Sequence, residues 1–191
     1  LLDVVLEYLV TPSQDKNVRY WCEDESRFGL KTITGRKLTL KGVKPVGQVQ
    51  WTREAFYLYG IVEPLRGNHF FLEYSHLDTV CFEQFLAEFV QAYPDDIHII
   101  QLDQGRFHSC ELLQVPDSVI LLFQPAHSPQ VNPMERLWKE MKKYLRWQSF
   151  DTLDELRAAL AQILDKLTDS VVASITGWDF ILEALFVSGI S

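Results

Sequence analysis

DIHIIQLD, Asp96 to Asp103, decides what kind of fold this chain can form. It is a short, mostly apolar run without the in–out alternation of a half-exposed strand. Such runs are found in sheets covered by helices on both faces. Working outward from it, the upstream spacing of Phe82, Phe85, Leu86, Phe89 and Val90 predicts a helix over Thr79–Tyr93, stopped by Pro94. Downstream, a short helix is expected around Ser109–Gln114, and SVILLFQP (Ser118–Pro125) reads as another buried strand. Further upstream, VRYWCED (18–24) reads as a strand, VQWTREAFYLYGIVEP (49–64) as two strands turning near Thr52–Glu54, and NHFFLEYS (68–75) as one more. Between them GLKTITGRKLTLKGVKPVG is Gly-rich, basic and extended.

At the chain's two ends the pattern is helical. Leu2, Val5, Leu6 and Leu9 have helical spacing and precede a loop at TPSQDKN. A helix is expected from Asn132 to about Trp147, and another begins near Asp151, clearest in TLDELRAALAQILDKL. Antiparallel strands followed by βαβ units predict an α/β fold: a mixed sheet flanked by helices, with a C-terminal helical extension. The expected boundaries are 1–17 for an N-terminal helix or linker, 18–148 for the main domain, and 149–191 for the extension. Ligands in such sheets sit at the carboxyl ends of the central strands.

Composition narrows the class. At 47% hydrophobic and 23% charged residues, the 191-residue chain has enough apolar surface for a sizeable core, which argues against disorder. No apolar run approaches the roughly 18 residues of a membrane span. LLDVVLEYLV carries Asp3 and Glu7 without a basic leader, so no signal peptide is expected, and a first residue of Leu suggests a fragment. Cys22, Cys81 and Cys110, odd in number and widely spaced, read as reduced thiols of a cytosolic protein. Net charge is −8, yet its distribution is uneven. Arg27–Arg66 carries eight Lys/Arg against two acids, whereas Asp151 to the end carries seven acids against two Lys/Arg. That asymmetry fits a polyanion-binding face, or equally a solvated surface.

Three acids lie at expected element ends. Asp24 closes the first strand, where it shares a face with Val18, Tyr20 and Cys22 while Arg19, Trp21 and Glu23 share the other. Asp103 follows the buried run, and Glu135 sits three residues into the helix begun by Asn132. Plainer readings stand beside these: a strand-end acid, a turn cap and a capping box of Asn132, Pro133 and Glu135. Glu135, Lys139, Lys142 and Arg146 form one stripe along the helix, with Met134, Leu137, Trp138, Met141 and Leu145 on the apolar side. At 1.5 Å per residue the stripe covers about 16 Å, enough to follow several phosphates of a duplex carrying a charge per roughly 1.7 Å. Three converging carboxylates repel strongly unless cations intervene. Oxygen donors without a His/Cys cluster favour magnesium or manganese, and two such ions support phosphodiester cleavage. Trp21, Trp51, Trp138 and Trp147 read as core or interface aromatics.

DES (24–26), LDQGRFH (102–108) and HSPQVNPMERLW (127–138) resemble the signature blocks of mariner-type transposases, in the bacterial insertion-sequence branch of the DDE superfamily. The resemblance spans roughly 18–147, and its last block is the most specific. It implies a ribonuclease H-like fold and a catalytic, metal-holding triad of Asp24, Asp103 and Glu135 with two Mg2+ or Mn2+ ions. It also implies DNA cleavage at transposon ends with strand transfer into target DNA, and a homodimer or larger assembly. Lys139, Lys142, Lys143, Arg146, Arg36 and Lys37 are the expected DNA-binding residues; His108 and Asn132 are expected in support. Gln104 stands where the family usually has asparagine, Gln130 where it has aspartate, and the Asp103–Glu135 interval of 32 positions is slightly short. A helix-turn-helix region that reads transposon ends is expected to be missing. The expected setting is cytoplasmic and nucleoid-associated, with no membrane. Two other functions remain open: a decayed or domesticated relative that binds DNA or a partner without cutting, and a nuclease acting on RNA or hybrids.

Overall fold

The computed structural model describes residues 17–44, 46–105, 108, 113–125 and 128–190. The N-terminal helix expected at 1–10, its loop, and most of the short helix expected at 109–114 lie outside the described residues; Leu113 and Gln114 are not helical. Five strands form one sheet in the order β3-β2-β1-β4-β5. These are β1 (Val18–Gly29), β2 (Ala55–Val62), β3 (His69–Tyr74), β4 (Ile97–Leu102) and β5 (Val119–Phe123). β1–β2 and β2–β3 pair antiparallel, whereas β1–β4 and β4–β5 pair parallel. The mixed sheet expected from the strand order is thus present.

Each face of the sheet carries its own apolar layer. Helix α1 (Thr79–Ala92) is capped by Asp78, whose carboxylate accepts from the Cys81 N–H at 2.8 Å. It buries Phe82, Phe85, Leu86 and Phe89 against Trp21, Tyr59, Ile61, Ile100 and Leu102. Each such side chain contributes about 1.5–3 kcal/mol on burial. The opposite face packs Tyr20, Cys22, Phe28, Leu58 and Ile99 against α2 (Met134–Tyr144), from which Met134, Leu137, Trp138 and Met141 point inward. Helices α3 (Leu153–Leu164), α4 (Asp169–Thr176) and α5 (Asp179–Val187) add Leu156, Leu160, Val172, Ile181 and Leu185 to this same layer. Among the described residues no single helix is long and apolar enough to cross a membrane.

Three local expectations need correction. The two strands expected over 49–64 are one, because 49–54 stays outside the sheet as the end of a long exposed connection. β1 does not end at Asp24 but runs five residues further, since Glu25 to Gly29 continue the antiparallel ladder with β2. β5 is an edge strand and only partly buried, with Phe123 40% exposed. An apolar run alone does not distinguish a central strand from an edge strand of the same sheet.

Candidate active site at the end of the parallel strands

β1 and β4 pair in parallel from Val18↔Ile97 to Cys22↔Gln101. Continued for two positions, that register sets Asp24 opposite Asp103, on neighbouring strands about 4.8 Å apart. There the two strands part company. β1 continues beside β2 with Asp24 facing Gly60, whereas the chain leaves β4 at Asp103. Asp24 is half-buried, and Asp103 is 55% exposed at its side chain.

Helix α2 supplies the third acid. Asn132, almost fully buried, donates from Nδ2 to the Glu23 carbonyl at 2.8 Å and accepts the Met134 N–H at 3.0 Å, which ties the helix start to β1. One turn on, Trp138 Nε1 donates to Asp24 Oδ2 at 3.0 Å. Gly60 makes this approach feasible, since a Cβ there would come within 2.7–2.8 Å of Trp138, Met134 and Phe71. Glu135 precedes Trp138 by three residues and therefore shares its side of the helix. The capping box does not form: Pro133 occupies the cap position with no side-chain cap bond, and Glu135 is exposed. The Asx-type bond from Asn132 to Met134 takes over the capping role and leaves the Glu135 carboxylate free of it.

Electrostatics register the convergence. Burial first, then the negative charges of Glu25, Glu135 and Asp103, push the Asp24 carboxyl up to about 8. Lys142 lies beneath Glu135 on the same stripe, its ammonium 5.4 Å from the centre of the Phe28 ring. Burial pulls the Lys142 ammonium down while Glu135 and Asp24 act in the opposite sense. His108 is buried and stands between Asp103 and Glu25. Its Nδ1 stands 3.0 Å from Asp103 Oδ1, and its Nε2 stands 3.0 Å from Glu25 Oε1. Asp103 Oδ1 also accepts the Gly105 N–H at 2.7 Å, closing the turn beyond β4. Gln104 donates to the Gln124 carbonyl at 3.1 Å and Gln101 to the Val131 carbonyl at 3.1 Å, joining the turns that lead to α2.

The expected DNA-binding residues separate into groups. Lys139 and Lys142 lie along the Glu135 stripe, whereas α2 ends at Tyr144, short of the expected Trp147, and Arg146 lies beyond it. At its far end the β1–β2 connection docks: Ile33 bridges to Arg146, and the Trp147 N–H donates to the Ile33 carbonyl at 2.9 Å. Trp147 adopts φ 61°, which holds its ring against Gly47, with the Lys37 ammonium 4.2 Å from the ring centre. Arg36 is exposed on the same connection. Lys143 lies off the stripe, its ammonium paired with Glu140. Three residues at the site escaped the sequence reading. Glu25 is not distinguished in the sequence from its acidic neighbours, Gly60 belongs to no motif, and Trp138 has the spacing of a core or interface aromatic. The alternation along β1 did assign Glu23 and Asp24 to opposite faces, but nothing in the sequence shows which side chains His108 meets.

The chain's relatives agree with this architecture. The profile of the DDE superfamily endonucleases matches residues 19–157. An uncharacterised protein of Sinorhizobium fredii, y4pE/y4sA, is 32% identical over 115 residues, covering 59% of this chain and 85% of that protein. Among solved structures, the Mos1 mariner paired-end complex with Mn superposes with a TM-score of 0.66 at 15% identity, over 99% of this chain and 60% of that one. A pre-cleavage Mos1 transpososome gives 0.67 at 15% identity, over 91% and 56%. The chain therefore spans less than two thirds of the Mos1 chains it resembles. The shared element is the fold: a ribonuclease H-like mixed sheet between helical layers.

Proposed function

The chain belongs to the DDE superfamily of endonucleases, and from that premise we propose that it is the catalytic part of a mariner-like transposase. It cuts DNA phosphodiesters at transposon ends and joins the exposed ends to target DNA, with Mg2+ or Mn2+. The observation that carries this reading is geometric: the β1–β4 register sets Asp103 beside Asp24, and the Trp138 N–H, three residues after Glu135 on α2, donates to the Asp24 carboxylate. Carboxylates so arranged oppose one another until cations are bound, and an all-oxygen donor set suits hard divalent ions. Asp24, Asp103 and Glu135 would hold them. Two bound ions supply an activated water or hydroxyl nucleophile and a stabilised leaving oxygen.

The chain's own groups do the rest. Trp138 holds one oxygen of Asp24 in place. Asn132 and Gly60 hold α2 close enough for Glu135 to share the site. His108 orients Asp103. Lys142 offers positive charge beside the scissile phosphate, while Lys139, Arg146, Lys37 and Arg36 follow the DNA backbone away from it; Lys143, engaged by Glu140, contributes less. Residues 18–148 form the catalytic domain and 149–191 a helical extension in this reading. The full protein acts at the nucleoid as a dimer or larger assembly on paired ends, with end recognition supplied by a region outside this chain.

Supercoiled plasmid incubated with the protein and Mn2+ tests the proposal. Nicking falls at least about a hundredfold in Asp24→Asn and in Glu135→Gln if these acids hold the ions. Equal nicking by all three proteins overturns it, and plasmid binding without nicking in the unaltered chain marks a relative that no longer cuts. A DNA–RNA hybrid cut in preference to duplex DNA would move the activity to another substrate class.

A further inference from the structure

On the face of β1 turned away from Asp24, Glu23, Glu25 and His108 each present one ligand atom, all within 4.8 Å of one another. Glu23 is fully buried, and neither of its carboxyl oxygens accepts a hydrogen bond. The His108 Nε2 is 3.8 Å from Glu23 Oε2 and 3.0 Å from Glu25 Oε1, while Nδ1 points away to Asp103. The Phe82 ring closes over the imidazole, with centroids 4.5 Å apart. A sealed carboxyl group with two unpaired oxygens carries a heavy desolvation penalty. One proton would remove its charge and still leave an oxygen without a partner. A divalent cation would satisfy Glu23 and offset the charge of Glu25 together.

We infer that Glu23, Glu25 and His108 form a second site, distinct from the Asp24 face, for a divalent transition metal of the zinc class, with a water as its fourth ligand. Two carboxylate oxygens with one imidazole nitrogen suit zinc, whereas magnesium prefers oxygen alone and keeps its waters. Ligating histidines commonly donate their second ring N–H to a carboxylate, which fixes the tautomer and directs the other nitrogen to the metal. His108 has that arrangement, with Nδ1 on Asp103 and Nε2 on the Glu23–Glu25 side. Asp24 and Glu135 take no part, because they reach the sheet from the other face.

The test uses the whole chain with Asp24→Asn and Glu135→Gln combined, so that the carboxylate site cannot account for the metal. This protein is stripped with chelator, loaded with Zn2+, gel-filtered and assayed for metal. The expected result is one zinc per chain, a higher melting temperature with zinc, and a Co2+ absorption spectrum of a nitrogen-containing tetrahedral site. Adding Glu23→Gln or His108→Asn abolishes retention, and His108→Asn changes the Co2+ spectrum. A folded Asp24→Asn/Glu135→Gln protein that retains no zinc and melts unchanged with it overturns the inference. So does full retention after Glu23→Gln. Because no outcome depends on DNA cleavage, failure of the transposase reading would leave this test standing.

Discussion

The two faces of β1 handle acidic residues in opposite ways. On the α2 face, Asp24 sits at the rim with Glu135 exposed nearby and Asp103 open to solvent, and the Trp138 indole N–H donates to it. On the α1 face, Glu23 is fully buried and Glu25 is held by His108, against which the Phe82 ring packs. One strand thus places successive acids in an accessible site and a closed one. The period of two along the strand separates them, and His108 is the group that links them through Asp103. Access to solvent, rather than acidity, distinguishes a group that can exchange ligands from one that must be satisfied permanently.

Perturbing one face while reading the other sharpens the contrast. The largest expected effect is Phe82→Ala, which opens a cavity over His108 and costs about 3–5 kcal/mol of stability, measured by urea unfolding. A loss below about 1 kcal/mol would show that the α1 face is not tightly sealed. Next comes Gly60→Val, which pushes Trp138 and Met134 outward, costs about 1–3 kcal/mol, and reduces cleavage without disturbing the α1-face layer. Fluorescence of the buried Trp21 layer should remain native.

The pH dependence of the metal-free protein follows from the raised carboxyls. Asp24 binds its proton more tightly folded, up to about 8, than unfolded, where an aspartate titrates near ~3.9. Its favourable contribution is therefore full below pH ~4 and is lost as pH rises toward about 8. Glu23, raised by burial and then by Glu25 and Asp24, acts in the same direction. In chelator, Tm falls as pH climbs through this window, and Asp24→Asn or Glu23→Gln each flattens part of the fall. A Tm that rises instead would break the account for both faces.

Smaller effects separate neighbours. Trp138→Phe removes the N–H donated to Asp24, worth about 1.5–3 kcal/mol when the acceptor is charged, and lowers cleavage about tenfold with the fold retained. Lys142→Ala reduces DNA affinity and its salt dependence, whereas Lys143→Ala, which breaks only an exposed pair with Glu140, changes stability by less than about 0.5 kcal/mol. Gel shifts across a salt series compare the two. Equal losses would erase the distinction between the stripe and its flank.

Much of the architecture was legible from the sequence because it is written in local periodicity. The apolar run at 97–102, the helical spacing at 79–92 and the alternation along β1 each depend on near neighbours. The continuation of β1 past Asp24 was not legible, since VRYWCED gives way to charged residues that stay in the sheet only because β2 pairs with them. The capping box failed for a related reason: Asn132 is committed to the Glu23 carbonyl 109 residues away, and its remaining bond goes to Met134.

By itself, the sequence determined the order of strands and helices, the alternation that sends Glu23 and Asp24 to opposite faces, and the acids and cations arrayed around Glu135. Only the tertiary structure decided that Gly60 admits Trp138 to Asp24, that His108 spans Asp103 and Glu25, and that Glu23 is left sealed without a donor. The physical reason is range. Periodicity is set by neighbours along the chain, whereas burial, close approach and charge repulsion depend on groups that meet only after the chain has folded.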